Sequence, residues 1–235
     1  NLPGTKKKAI TVLCHFRSSM SNPKPREPHP AREDGCFAVT PERKYYIRGN
    51  AFIKRSLRPK EFITNWKGKT HVPRLRKELL MNEAAALRFI RQHTDIPVPD
   101  IYCGFEDDDA SYLISQNIDG VNMSDLKDET QKAAAHVELE KHLAKLKGIK
   151  SKRLGGPSGI VIPPYHGEDY VFCHGDCSQH NVIVDPETLR IKAIVDWEYA
   201  GFFQAWRLSF HFTCARHHRL RWARRRTIRW SCWNF

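Results

Sequence analysis

The sequence predicts an α+β fold, with a small antiparallel sheet in the first half. Three observations predict it. Lys44 to Ser56 holds two β-rich runs joined at Gly49-Asn50, a dipeptide suited to a two-residue hairpin turn. Arg76 to Gln92 is a run of strong helix formers that stops before Ile96-Pro97. Val182–Val184 and Ile191–Val195 are short β-branched runs that read as buried strands, with Asp185 to Thr188 as the turn between them.

Along the chain, residues 1–42 are basic and dotted with Pro23, Pro25, Pro28 and Pro30, and are expected to form a flexible lead-in. The absence of an initiating Met suggests a fragment. An amino-terminal unit is expected over 43–118. In its helix, Leu80, Ala84 and Leu87 form an apolar stripe, and Glu83 lies on or beside it. A lone buried carboxylate is costly, so a cation should face it. Lys54, at the end of its strand, is the candidate. The plainer readings are a solvated Glu83 at the stripe's edge and a surface Lys54. Ile101–Phe105 and Ser111–Gln116 read as a second hairpin around the acidic turn Glu106 to Asp109. A second unit over 119–203 opens with a helix from about Glu129 to Lys147, whose Ala135, Leu139, Leu143 and Leu146 make its packing face.

Charge and cysteines narrow the class. The net charge is +13, but residues 204–235 contain eight arginines, no lysine and no acid. Subtracting, 39 − 8 = 31 bases against 26 acids leaves only +5 for residues 1–203. The basicity is a property of the tail. The seven cysteines show no C-x-x-C spacing, which fits free thiols in a reducing compartment and not a zinc site. No apolar run approaches the length of a membrane span, and a cytoplasmic location is expected.

The chemistry concentrates between Tyr170 and Phe203. His174-Gly175-Asp176 precedes Asn181, and Asp196 with Glu198 follows the second β-branched run. Strands placed this way bring two carboxylates and an amide together. Phosphoryl transfer needs such a set: a carboxylate to orient or deprotonate a hydroxyl, and oxygen ligands for magnesium. The alternative is that Asp176 and Asp196 are ordinary turn residues beside strands. His174 reads as structural, and Glu198 as a metal contact or a turn cap.

These residues resemble the catalytic loop and metal site of the aminoglycoside phosphotransferase family, in particular its large fungal branch, within the protein-kinase-like fold. The resemblance covers Lys44 to Phe203 and implies a bilobal molecule, with a small antiparallel-sheet amino-terminal lobe and a mainly helical carboxy-terminal lobe, that uses ATP and Mg²⁺ to phosphorylate a hydroxyl of a small molecule. It implies Asp176 as base or orienter, Asn181 and Asp196 as metal ligands, and Lys54 paired with Glu83 as the phosphate-contacting lysine. It also implies a hinge near Asn117 to Val121. Gly175 stands where a protein kinase has Arg, and Asp196-Trp197-Glu198 replaces Asp-Phe-Gly.

Two departures stand beside the resemblance. There is no G-x-G-x-x-G, and only Gly49 occupies the hairpin expected to cover the phosphates. Few residues separate Pro164 from the Tyr170 strand, and the acidic helical continuation expected after Phe203 is replaced by an Arg/Trp-rich stretch holding four of the six tryptophans. The second lobe is therefore expected to be incomplete, and residues 204–235 to lie outside the fold. A frameshift, retained intron or gene-model error would produce such a switch. A non-catalytic nucleotide-binding relative is the main alternative function. Nucleic-acid binding through Arg216 to Trp233 is the lesser one. No membrane partner is expected.

Overall fold

The computed structural model describes residues 33–159 and 170–204. The expectations for residues 1–32, for the stretch around Pro164 and for the basic tail lie outside the described residues.

Five antiparallel strands form the first layer: β1 (Cys36–Val39), β2 (Arg43–Arg48), β3 (Ala51–Ser56), β4 (Ile101–Asp107) and β5 (Ala110–Gln116). Their order is β1-β2-β3-β5-β4. The flexible lead-in was expected to reach residue 42, yet the sheet begins at Cys36. Cys36 and Ala38 are buried in alternation as in a strand, but four residues behind a proline-rich stretch carry too little pattern to stand out. The second hairpin is also tighter than expected. Glu106 and Asp107 stay in β4, and the turn is Asp108-Asp109, with φ of 46° and 58°. Two-residue hairpin turns need positive φ, which Asp tolerates better than most residues.

Strand alternation gives the sheet two different faces. Lys44, Tyr46 and Arg55 point outward and meet Glu33 and Glu61. Glu61 accepts from Lys44 at 2.7 Å and from Arg55 at 2.7 Å. Burial works against the Glu61 carboxylate, but Arg55 and Lys44 outweigh it and hold the group well below the usual range. Tyr45, Phe52 and Lys54 point to the inner face, where Tyr45 and Phe52 pack with Phe37 at ring separations of 5.9 to 6.4 Å.

Helix α1 (Arg76–His93) lies under this sheet. Leu80 and Ala84 pack on Leu113 of β5, while Ala86, Leu87 and Ile90 join the larger core below. Helix α2 (Glu129–Gly148) starts at Asp128, whose side chain accepts from the Thr130 N–H at 2.8 Å. It buries Ala135, Leu139, Leu143 and Leu146, as its spacing predicts. The remaining strands are short: β6 (Val121–Asn122), β7 (Lys150–Ser151), β8 (Tyr170–Cys173), β9 (Val182–Val184), β10 (Ile191–Ile194) and β11 (Gly201–Gln204). They form two three-stranded sheets, β10-β9-β6 and β11-β8-β7. Phe172, Val182, Val184, Ile194 and Trp197 complete the core with both helices. Each such side chain contributes about 1.5–3 kcal/mol when fully buried, so the two halves are held by one continuous apolar body.

Candidate active site

The β9–β10 hairpin sets the site's geometry. Val182 pairs with Ile194, so Asn181 just before β9 and Asp196 just after β10 emerge at the same end. The Val195 N–H donates to the Asn181 carbonyl at 2.9 Å and ties the two exits together. Trp197, fully buried, donates its indole N–H to the Ile194 carbonyl at 2.8 Å and anchors the next turn. Asp196 itself has φ of 63°, a left-handed conformation that costs energy for a residue with a side chain. The anchors on either side hold it there.

The His174-Gly175-Asp176 loop leaves β8 beside this end. The His174 Nε2 lies 2.8 Å from the Val195 carbonyl, and its Nδ1 accepts from the Asp176 N–H at 3.3 Å. Those two partners assign the proton to Nε2. His174 therefore joins the loop to β10 as a structural part, which is how its sequence context reads. Gly175 has φ of 87°, and a Cβ there would sit 2.3 Å from the Tyr199 carbonyl oxygen. Only glycine fits this crossing of the loop and the turn after Asp196. Asp176 is exposed, and its carbonyl accepts from the Asn181 Nδ2 at 2.8 Å. With its amide nitrogen committed, Asn181 has the amide oxygen as the atom able to meet a cation.

Lys54 and Glu83 complete the arrangement from above. Both are buried, and the Lys54 Nζ donates to the two Glu83 carboxylate oxygens at 2.7 and 2.8 Å. The same ammonium contacts Asp196 Oδ1. Burial favours the neutral amine, yet Asp196 and Glu83 outweigh it and raise the Lys54 pKa. For Asp196, burial is again the largest influence, and Lys54 and Arg43 overcome it to lower the pKa. Glu83 is raised, because burial and the nearby Asp196 and Glu198 charges exceed the pull of Lys54. The five residues singled out in the sequence come from five segments and are linked in turn: Lys54 and Glu83 with Asp196, Asp196 beside Asn181, and Asn181 against the Asp176 backbone.

Two residues were missed. Asn82, beside Glu83 and almost fully buried, donates its Nδ2 to the carbonyls of Glu198 at 3.0 Å and Ala200 at 2.8 Å. Its Oδ1 accepts from Ser158 at 2.8 Å. It fastens α1 to the turn that carries Asp196. A buried-face asparagine beside the glutamate was the available signal. Arg43, at the start of β2, ion-pairs with Glu198. No sequence signal marked it, because β1 was not recognised. The hairpin expected to cover phosphates is also corrected. Gly49-Asn50 lies at the opposite end, where the Asn117 N–H donates to the Asn50 carbonyl at 2.8 Å. The β1–β2 turn, Thr40 to Glu42, is the one beside Asp196 and Glu198, since Arg43 follows it directly.

A cleft runs from Lys54, Glu83 and Asp196 to the segment between β5 and β6. Ile47, Phe52, Leu87 and Ile183 give it apolar walls, and Gln116 to Ile118 close its far end.

Residues 125–203 match the phosphotransferase enzyme family. That stretch is about a third of the chain and holds Asp176, Asn181 and Asp196. An aminoglycoside 3'-phosphotransferase of Streptomyces fradiae is 24% identical over 154 residues, covering 50% of this chain and 57% of that protein. The chain thus spans little more than half the length of this curated relative. A thermostable aminoglycoside phosphotransferase APH(4)-Ia, solved with ADP and hygromycin B, superposes with a TM-score of 0.51 at 15% identity, over 72% of this chain and 67% of that one. An aminoglycoside 2'-phosphotransferase-IIIa in its GDP complex gives a TM-score of 0.51 at 10% identity, over 71% of this chain and 66% of that one. The fold is the bilobal protein-kinase-like one, with the five-stranded sheet as its small lobe. Among the described residues, no helix is long and apolar enough to cross a membrane.

Proposed function

We propose that this chain is an ATP- and Mg²⁺-dependent phosphotransferase that moves the γ-phosphoryl group to a hydroxyl of a small molecule. The single observation carrying this reading is the buried Lys54 ammonium held between Glu83 and Asp196. A lysine fixed by one carboxylate and touching a second offers its charge at the point where a metal–triphosphate would enter. The apolar walls between Ile47, Phe52 and Ile183 suit a purine base, with the backbone at Gln116 to Ile118 as its hydrogen-bonding edge.

The donor set fits magnesium. One carboxylate and one amide oxygen are hard ligands, and this ion usually keeps several waters and takes its remaining ligands from phosphates. Asn181 and Asp196 would hold it, and it would supply charge neutralisation across the β- and γ-phosphates. Lys54 would bind phosphate oxygens, with Glu83 fixing its position. Asp176, exposed on the loop after β8, would orient the acceptor hydroxyl and take its proton. The acceptor oxygen forms its bond to the γ-phosphorus as the bond to the β–γ bridging oxygen breaks, and ADP leaves with that electron pair. The similarity to an aminoglycoside 3'-phosphotransferase favours an aminoglycoside-like polyol as acceptor, and the cytoplasm, which supplies ATP, is the proposed location.

The test is phosphoryl transfer from ATP to a panel of hydroxyl compounds, comparing the wild type with Asp176→Asn. The proposal expects transfer to fall by about 10²–10⁴ in the variant, with ATP affinity retained. The alternative is a nucleotide-binding relative without turnover. ATP binding with no transfer to any compound of the panel would support that reading.

A further inference from the structure

Glycine-rich phosphate loops grip a triphosphate with free backbone N–H groups. Here the turn beside Asp196 cannot do so. The Thr40 hydroxyl accepts from the N–H groups of Glu42 at 3.3 Å and Arg43 at 3.0 Å, and the Thr40 N–H is committed to the Arg43 carbonyl at 2.8 Å. The donors that would face a phosphate are consumed by the turn itself.

The same turn delivers a cation. Arg43 opposes Ser56 on β3, and Tyr45 opposes Lys54, so Arg43 and Tyr45 share the inner face with Lys54. The Arg43 side chain is 5% exposed and reaches across to Glu198, two residues after Asp196. Its Nε is buried without a hydrogen-bond partner among the described residues. Burying an unsatisfied guanidinium nitrogen is costly, so the site is built for something more than the Glu198 pair. The local charges agree. Arg43 and Lys54 face Glu83, Asp196 and Glu198, two cations against three carboxylates, and the two cations bracket the Asp196–Glu198 turn.

We infer that Arg43 is a phosphate-binding residue, reaching the terminal phosphates of a nucleoside triphosphate from the β1–β2 turn, with Glu198 holding its guanidinium until they arrive. The inference rests on the nucleotide site proposed above. A planar guanidinium suits two phosphate oxygens at once, and it supplies from a side chain what the Thr40–Glu42 backbone withholds. Glu198 competes with the phosphates for Arg43, so its charge weakens binding of a metal-free triphosphate.

Calorimetric titration of ATP and adenosine into the full chain, with and without Mg²⁺, tests this on the wild type and on Arg43→Gln, Arg43→Lys, Glu198→Gln and the double variant Arg43→Gln/Glu198→Gln. Arg43→Gln should weaken ATP by about 10-fold or more while leaving adenosine unchanged. Arg43→Lys, which keeps the charge near Glu198, should lie between the two and serves if Arg43→Gln does not fold. Glu198→Gln should tighten metal-free ATP, and that gain should vanish in the double variant. An unchanged ratio of ATP to adenosine affinity in folded Arg43→Gln or Arg43→Lys would overturn the assignment alone. A wild type that binds neither ligand would overturn it together with the nucleotide site.

Discussion

Lys54 reaches Glu83 with both of its carboxylate hydrogen bonds, 2.7 and 2.8 Å long, from a strand to a helix 29 residues away. Both partners are buried, and the same Nζ touches Asp196. The pair therefore couples the sheet, α1 and the loop after β10 through one ammonium. Removing one member of such a pair leaves an uncompensated charge, which makes the pair a sensitive probe of the site.

Glu83→Gln keeps the shape and removes the charge. It should cost up to about 3 kcal/mol of stability, because Lys54 loses the buried one of its two counter-charges. It should also draw Lys54 fully onto Asp196, lowering Mg²⁺-dependent ATP affinity by about 10-fold if one charge-assisted contact is lost. Denaturant melts and calorimetry read the two effects separately.

Asn82→Asp replaces a double donor with a carboxylate facing the carbonyls of Glu198 and Ala200. Leaving two buried acceptors unpaired and opposed should destabilise by about 2–4 kcal/mol. A melt indistinguishable from the wild type would show that the amide does not fasten the turn.

Gly175→Ala meets the Tyr199 carbonyl at 2.3 Å and a φ of 87°. A strain of about 1–3 kcal/mol is expected from the backbone conformation before the clash is added. Equilibrium unfolding should register it, and the loop after β8 should show it first in hydrogen exchange at Asp176 and Cys177.

His142 gives the pH prediction. Both of its ring nitrogens are buried without a hydrogen-bond partner among the described residues, and burial lowers its pKa from the ordinary 6.5. The unfolded chain then binds more protons than the folded one below about pH 6.5, so stability falls as pH drops through and below that value. His142→Leu should remove this slope and raise stability at pH 6 by about 1 kcal/mol. Thermal melts across pH 5–8 check it, and identical slopes in both proteins would refute it.

Local pattern made much of this structure legible. Leu80, Ala84 and Leu87 marked the buried face of α1, and from it came the partner for Glu83. The β-branched runs on either side of Asp185 gave the hairpin that brings Asn181 beside Asp196. What sequence could not carry was contact between segments. β1 has four residues, and its strand character comes from pairing with β2. Missing it put the turn nearest Asp196 at Gly49 and hid Arg43, whose partner Glu198 lies 155 residues away. Asn82 went unmarked because its value lies in the carbonyls of Glu198 and Ala200, more than 110 residues away.

The most direct test is Mg²⁺-dependent ATP binding measured on the wild type and on Asp196→Ala. The account predicts that the wild type binds ATP more tightly with Mg²⁺ than without, and that the variant loses this difference while remaining folded. Equal Mg²⁺-dependent affinity in the two proteins would mean that Asp196 holds no metal, and the phosphotransferase site built around it would be wrong.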